Sequence, residues 1–185
     1  MRAISLPFAS ILVCLLPLAL AAPAGAQTQR PTPHPAKPAA TAAAPKQLGK
    51  FEDWIAATHQ EAGQTVCYAL ARPQNSAPAL PGRGEVVLTV TERASGRDAV
   101  ALSAGFAFAQ GAEVAVQVEQ AGFQFYTAQR NAFARDGAAV VAAMQKGRQA
   151  TTRSPGPHGK EIVDTFSLRG FSAAYGAIAK ACPAK

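Results

Sequence analysis

The stretch EVVLTVTERASGRDAVALSAGFAF, Glu85 to Phe108, decides the fold. In its first half Val86, Leu88 and Val90 face one way while Val87, Thr89 and Thr91 face the other, the period-two pattern of a half-buried strand. Ser95-Gly96-Arg97 then supplies turn chemistry, and Asp98 to Phe108 is a second strand-like run, expected to break or bulge at Gly105. Two such runs joined by a short turn read as an antiparallel hairpin.

The same grammar continues on both sides. In AEVAVQVE, Val114, Val116 and Val118 oppose Ala115, Gln117 and Glu119, and in GFQFYT, Phe123 and Phe125 oppose Gln124 and Tyr126. TVCYALAR around Cys67 is strand-like, and Gln110-Gly111 and Gln120-Ala121-Gly122 punctuate the runs. Short strands at roughly ten-residue spacing predict an antiparallel sandwich or barrel. TTRSPGPHGKEIVDT reads as strand, Pro/Gly loop, strand.

Two short helices interrupt the strands. One follows Asp136 as N-cap, buries Val140, Val141 and Met144, and stops at Gly147 with Lys146 in its last turn. The other carries Leu168, Phe171, Tyr175, Ile178 and Cys182 at spacings of three and four, with Ser167 as its N-cap and Pro183 as its stop.

The N-terminus has a different composition. Residues 1–26 combine Arg2, an apolar run from Ala3 to Ala22 and the small-x-small series Ala24-Gly25-Ala26, which reads as a signal peptide. A membrane anchor is the poorer reading, because Pro7 and Pro17 interrupt the run. Residues 27–50 are Pro, Ala, Thr and a few cations, too poor in apolar surface to offset ordering entropy, and are expected to form a disordered linker. Residues 51–185 then make one domain with one core.

Charge excludes one class of partner. The whole chain is at +7, but residues 51–185 hold 13 Lys and Arg against 11 Asp and Glu with signs interspersed. That is an ordinary surface without the basic-aromatic alternation of a nucleic-acid binder. The cations of the linker allow at most weak attraction to an anionic membrane surface. Lys146, Arg148 and Arg153 read as a solvated face.

After loss of the leader, and Cys14 with it, Cys67 and Cys182 remain. In a periplasmic or secreted protein, two cysteines in a compact domain are expected to pair; two free buried thiols are the alternative.

The chain carries no G-x-S-x-G elbow, H-E-x-x-H, C-x-x-C or glycine-rich phosphate loop, and GFSAA places Ala174 where an elbow has Gly. Its three histidines are His34 in the linker, His59 by a turn and His158 in the Pro/Gly loop, too few and too scattered for a metal site. Glu52, Asp53, Glu92 and Asp98 read as isolated acids near turns, and Trp54 and the phenylalanines as core. No catalytic, cofactor or metal residue is assigned. The function expected is a non-enzymatic envelope or surface-associated binding protein whose partner is a protein or envelope component. The alternative is a periplasmic hydrolase with an unrecognised site at His158 and Asp164.

In order and spacing, FEDW (Phe51 to Trp54), VCYALARP (Val66 to Pro73), VTERASGRDAVALSAGFAF, GFQFYTAQRNAFA, DTFSLRGFSAA and the final Cys182 resemble the invasion-associated locus B family of bacterial secreted proteins. The resemblance spans essentially Phe51 to Cys182. It implies an exported immunoglobulin-like β-sandwich found widely in alphaproteobacteria, with no established catalytic residues and a possible role at the host or envelope. Glu52 stands where the family more often has Gly, and Ile55 to His59 lack the cysteine that some members carry.

Overall fold

A computed structural model describes residues 44–184, so the leader, Cys14 and most of the expected linker lie outside the described residues. Eleven strands form β1 Lys46–Phe51, β2 Trp54–Glu61, β3 Gln64–Ala71, β4 Asn75–Ala77, β5 Val87–Arg93, β6 Gly96–Ser103, β7 Glu113–Val118, β8 Ala121–Ala128, β9 Asn131–Ala134, β10 Gln149–Pro155 and β11 Glu161–Ser167. Helix α1 is Gly137–Met144 and α2 is Phe171–Ala181, with a short 3-10 turn at Pro157–Gly159.

All pairings are antiparallel, and the strands form one ladder in the order β1-β2-β3-β5-β6-β9-β8-β7-β10-β11-β4. Chain geometry shows that this sheet is rolled. Only Arg72, Pro73 and Gln74 separate β3 from β4, a reach of at most about 15 Å. In a flat sheet those strands would lie eight spacings apart, roughly 38 Å. The two halves of the sheet therefore face each other. The expected antiparallel layers are present as parts of one continuous ladder.

The alternation read from the sequence sets the inner face. Leu88 and Val90 of β5, the three valines of β7, Phe125 of β8 and Phe166 of β11 share one apolar cluster with residues of both helices. Helix α1 packs against β6 and β7, and α2 against β1, β2, β3 and β5. Trp54 is fully buried against Phe171, and its indole donates to the Ser167 carbonyl at 3.0 Å. Both edges of the sheet are blunted. β1 carries Lys46, Lys50 and a bulge at Leu48, and β4 has three residues, which discourages strand addition.

Two expectations need correction. Lys46 to Lys50, read as linker, form most of β1 paired with β2, because the backbone of this polar segment finds partners in β2. Ser167 is not the N-cap of the last helix: it is still paired with Gln149, and its hydroxyl accepts from the Arg169 amide at 3.2 Å. The helix starts at Phe171 after Gly170, which sits at φ +83°, where a Cβ would meet the Phe51 carbonyl. Asp136 does cap α1, accepting from the Ala139 amide at 3.0 Å.

Candidate functional site

Three groups of chemistry-bearing residues emerge from the fold. The first surrounds a disulfide. Cys67 on β3 and Cys182, the residue after α2, are bonded with Cα atoms 6.0 Å apart. Directly across the ladder from Cys67 is Glu92, in phase with Leu88 and Val90 and therefore turned inward; it is 0 % exposed. Arg97 reaches it, Nε 2.8 Å from Oε2, although no hydrogen bond is aligned on that oxygen. Oε1 accepts from the Asp98 amide at 3.2 Å. Arg97 also donates to the Cys182 carbonyl at 2.6 Å, and Tyr175 of α2 donates to Asp98 Oδ1 at 2.6 Å.

Burial pushes the Glu92 carboxyl above the ordinary carboxylate range, against the opposing pull of the Asp98 amide and Arg97. Burial first, and then the Asp98 carboxylate, push the Tyr175 hydroxyl up to about 12. Glu92 and Asp98 are thus not isolated turn acids. They tie β5, β6 and α2 together beside the disulfide. A shallow depression of about 350 Å³ lies outside this cluster, lined by Gln64, Thr65, Ala94 and the residues around Cys182.

The second group contains Asp164, which the alternative reading places with His158 in a hydrolase site. The structure does not bring them together. The Asp164 side chain is 0 % exposed and held bidentately by Arg83, whose side chain is 7 % exposed, with both distances 2.7 Å. Ser76 donates to the same carboxylate at 2.6 Å, and Arg83 Nε donates to the Ala104 carbonyl at 2.7 Å. His158 is exposed on the 3-10 turn at φ +58°. The Arg83 side chain extends over Phe106 and fixes the loop before β5 onto β11. Pairing of this kind serves structure, because both carboxylate oxygens are occupied and no substrate can reach a fully buried group. Among the described residues, no three of His, Cys, Asp and Glu gather as a metal would require.

The third group is on the outer face of β8, β7 and β10. Register places Gln124, Ala115 and Arg153 in one row across these strands, and Gly122, Gln117 and Thr151 in the next. Ala115 and Gly122 are small, so two adjoining depressions of about 340 and 310 Å³ open above them. Tyr126, 44 % exposed, borders this surface and lies 5.5 Å from Phe133 between ring centroids. Of these residues the sequence reading singled out only Arg153, as part of a solvated face. The signal available in the sequence was the parity of AEVAVQVE and GFQFYT, which sends Ala115, Gln117, Gln124 and Tyr126 outward together.

Fold and site together define a disulfide-stapled, rolled antiparallel β domain whose inward acids are paired with arginines. The model of the Invasion associated locus B (IalB) protein family matches residues 54–179, more than half of the chain, and the chain belongs to that family. The crystal structure of invasion associated protein B from Bartonella henselae is similar in fold, with a TM-score of 0.52 and 19 % sequence identity over 72 % of this chain and 95 % of that one. A search of curated proteins finds no match.

Proposed function

We propose that this chain is an exported, non-enzymatic binding protein of the envelope or cell surface, acting on a protein or an envelope component. The observation that carries the reading is the closure of Asp164 by Arg83 and Ser76, which leaves its carboxylate no capacity for acid-base work. Export is supported by the leader-like residues 1–26 and by the Cys67–Cys182 bridge, which needs an oxidising compartment. Arg72, Arg83, Arg93, Arg97, Arg135, Arg153 and Arg169 each face an acid, which argues against a nucleic-acid partner. A hydrolase at His158 and Asp164 would require Asp164 to be released from Arg83.

Cross-linking with mass spectrometry in the native cell tests the proposal. A reproducible envelope partner, cross-linked through the outer face of the sheet, is the expected result. Absence of any envelope partner, combined with turnover of a hydrolase substrate that is lost in His158→Ala, would overturn it.

A further inference from the structure

We propose that the outer face of β8, β7 and β10 binds a neutral polyhydroxylated polymer, a glycan of the cell envelope or of a surface it meets; this inference rests on the binding-protein reading above. The floor of the site is small. Nothing lies within 4 Å of where a Cβ on Gly122 would be, and Ala115 forms a notch between Gln124 and Arg153. Those two side chains stand two strand spacings apart, roughly 10 Å, and the two depressions share Ala115, Gln124 and Arg153, so together they form one furrow.

The wall chemistry suits hydroxyl groups. Gln124 is exposed, and its amide offers two donors and an acceptor. Gln117 donates to the Glu119 carbonyl at 2.9 Å and keeps its own carbonyl oxygen free to accept. Thr151 adds a hydroxyl in the same row. At the border, the 44 % exposed Tyr126 offers aromatic surface against which a sugar ring can pack, with Arg135 lying over its ring 5.8 Å from the centre and Phe133 tilted beside it.

Charge and topology choose among occupants. The two cations of the face are each neutralised on it, Arg135 by Glu113 at 2.6 Å and Arg153 by Glu161 at 3.0 Å. A surface so balanced has no field to attract a phosphate or sulfate polymer. A peptide adding as a strand needs a free edge, and β8, β7 and β10 are each paired on both sides. A flat furrow of amides, a hydroxyl and one exposed tyrosine fits a neutral glycan.

The test uses the processed full chain, from residue 27, against immobilised β-glucan and N-acetylglucosamine oligomers, purified peptidoglycan sacculi, and heparin as the anionic comparator. Binding to at least one of the uncharged glycans is expected, with little dependence on salt. Ala115→Arg, which fills the notch, and Gln117→Ala/Gln124→Ala, which removes the amides, should each weaken it at least tenfold. Thr89→Arg on the outer face of β5 should leave it unchanged. Two variants of different kinds, each checked for an unchanged melting temperature, keep a folding defect from passing as support.

Salt-sensitive retention on heparin alone overturns the inference, as does retention on no glycan. If envelope cross-links are found but no glycan is retained, the glycan inference fails while the binding-protein reading stands. If neither cross-links nor glycan binding are found, both fail.

Discussion

Removing the staple with Cys67→Ala/Cys182→Ala has a cost that follows from the chain itself. The bridge joins residues 115 apart. Loop-closure entropy for that separation is about 16 cal/mol/K, which corresponds to about 4.8 kcal/mol at 25 °C and is a ceiling because residual denatured structure lowers it. Unfolding entropy near the melting point is about 2.1 cal/mol/K per residue, or roughly 0.28 kcal/mol/K for a domain of about 135 residues. The melting temperature should therefore fall by up to about 17 °C. Thermal melts followed by far-ultraviolet circular dichroism measure this, and intact mass with and without reductant must first show the gain of two hydrogens in the wild-type chain. A fall below about 5 °C, with the bridge verified, would refute the entropic account. The reason would be that Arg97, already bound to the Cys182 carbonyl, holds the end of α2 without the sulfur bond.

The other predictions concern the buried charges and one glycine. Asp164→Asn should cost about 3–5 kcal/mol by leaving Arg83 buried without its partner, while Arg83→Met/Asp164→Leu should recover most of that loss in urea melts. Glu92 has its folded pKa raised by burial, so its contribution to stability is full below the unfolded carboxylate range and is lost as pH rises through the folded value. Glu92→Gln should therefore gain on the wild type as pH goes from 4 to 7, and a constant difference in melting temperature would contradict this. Tyr175 follows the same sign at higher pH: the stability it contributes is present below about 10 and lost towards about 12, and Tyr175→Phe should flatten the alkaline limb of the melting profile. Gly137→Ala separates propensity from packing, since a free helix would gain up to about 1 kcal/mol whereas here the new Cβ runs into the Asp98 carbonyl, for an expected net loss of about 1–3 kcal/mol in the same urea melts.

Much of the strand pattern was legible because alternation is a local property. Val114, Val116 and Val118 announce an inner face without reference to any other part of the chain. The start of α2 was not legible, since Leu168 continues the apolar spacing of the helix while it lies just past β11, its amide donating to the Arg148 carbonyl at 2.9 Å. β1 was hidden in a segment with the composition of a linker, and pairing with β2 overrides composition. The burial of Glu92 and Asp164 was readable in principle. Each lies in phase with apolar neighbours two residues away, Val90 for one, Ile162 and Phe166 for the other. Their partners were not readable, because Arg83 is 81 residues from Asp164 and only the rolling of the sheet brings them together.

That rolling also decides where function can reside. A buried acid on an inner face must be compensated, and each inward carboxylate here is met by an arginine from a neighbouring loop or hairpin, Asp164 by Arg83 and Glu92 by Arg97. Once those pairs form, the interior is committed to holding layers and helix in place. Releasing either acid from its arginine would cost stability. The edges are blunted by charge, a bulge and short length. The outer face keeps its polar side chains exposed, and there Ala115 and Gly122 leave the furrow open. Larger residues at those two positions would fill the furrow, so the glycan binding proposed for it depends on Ala115 and Gly122, which only the register brings side by side.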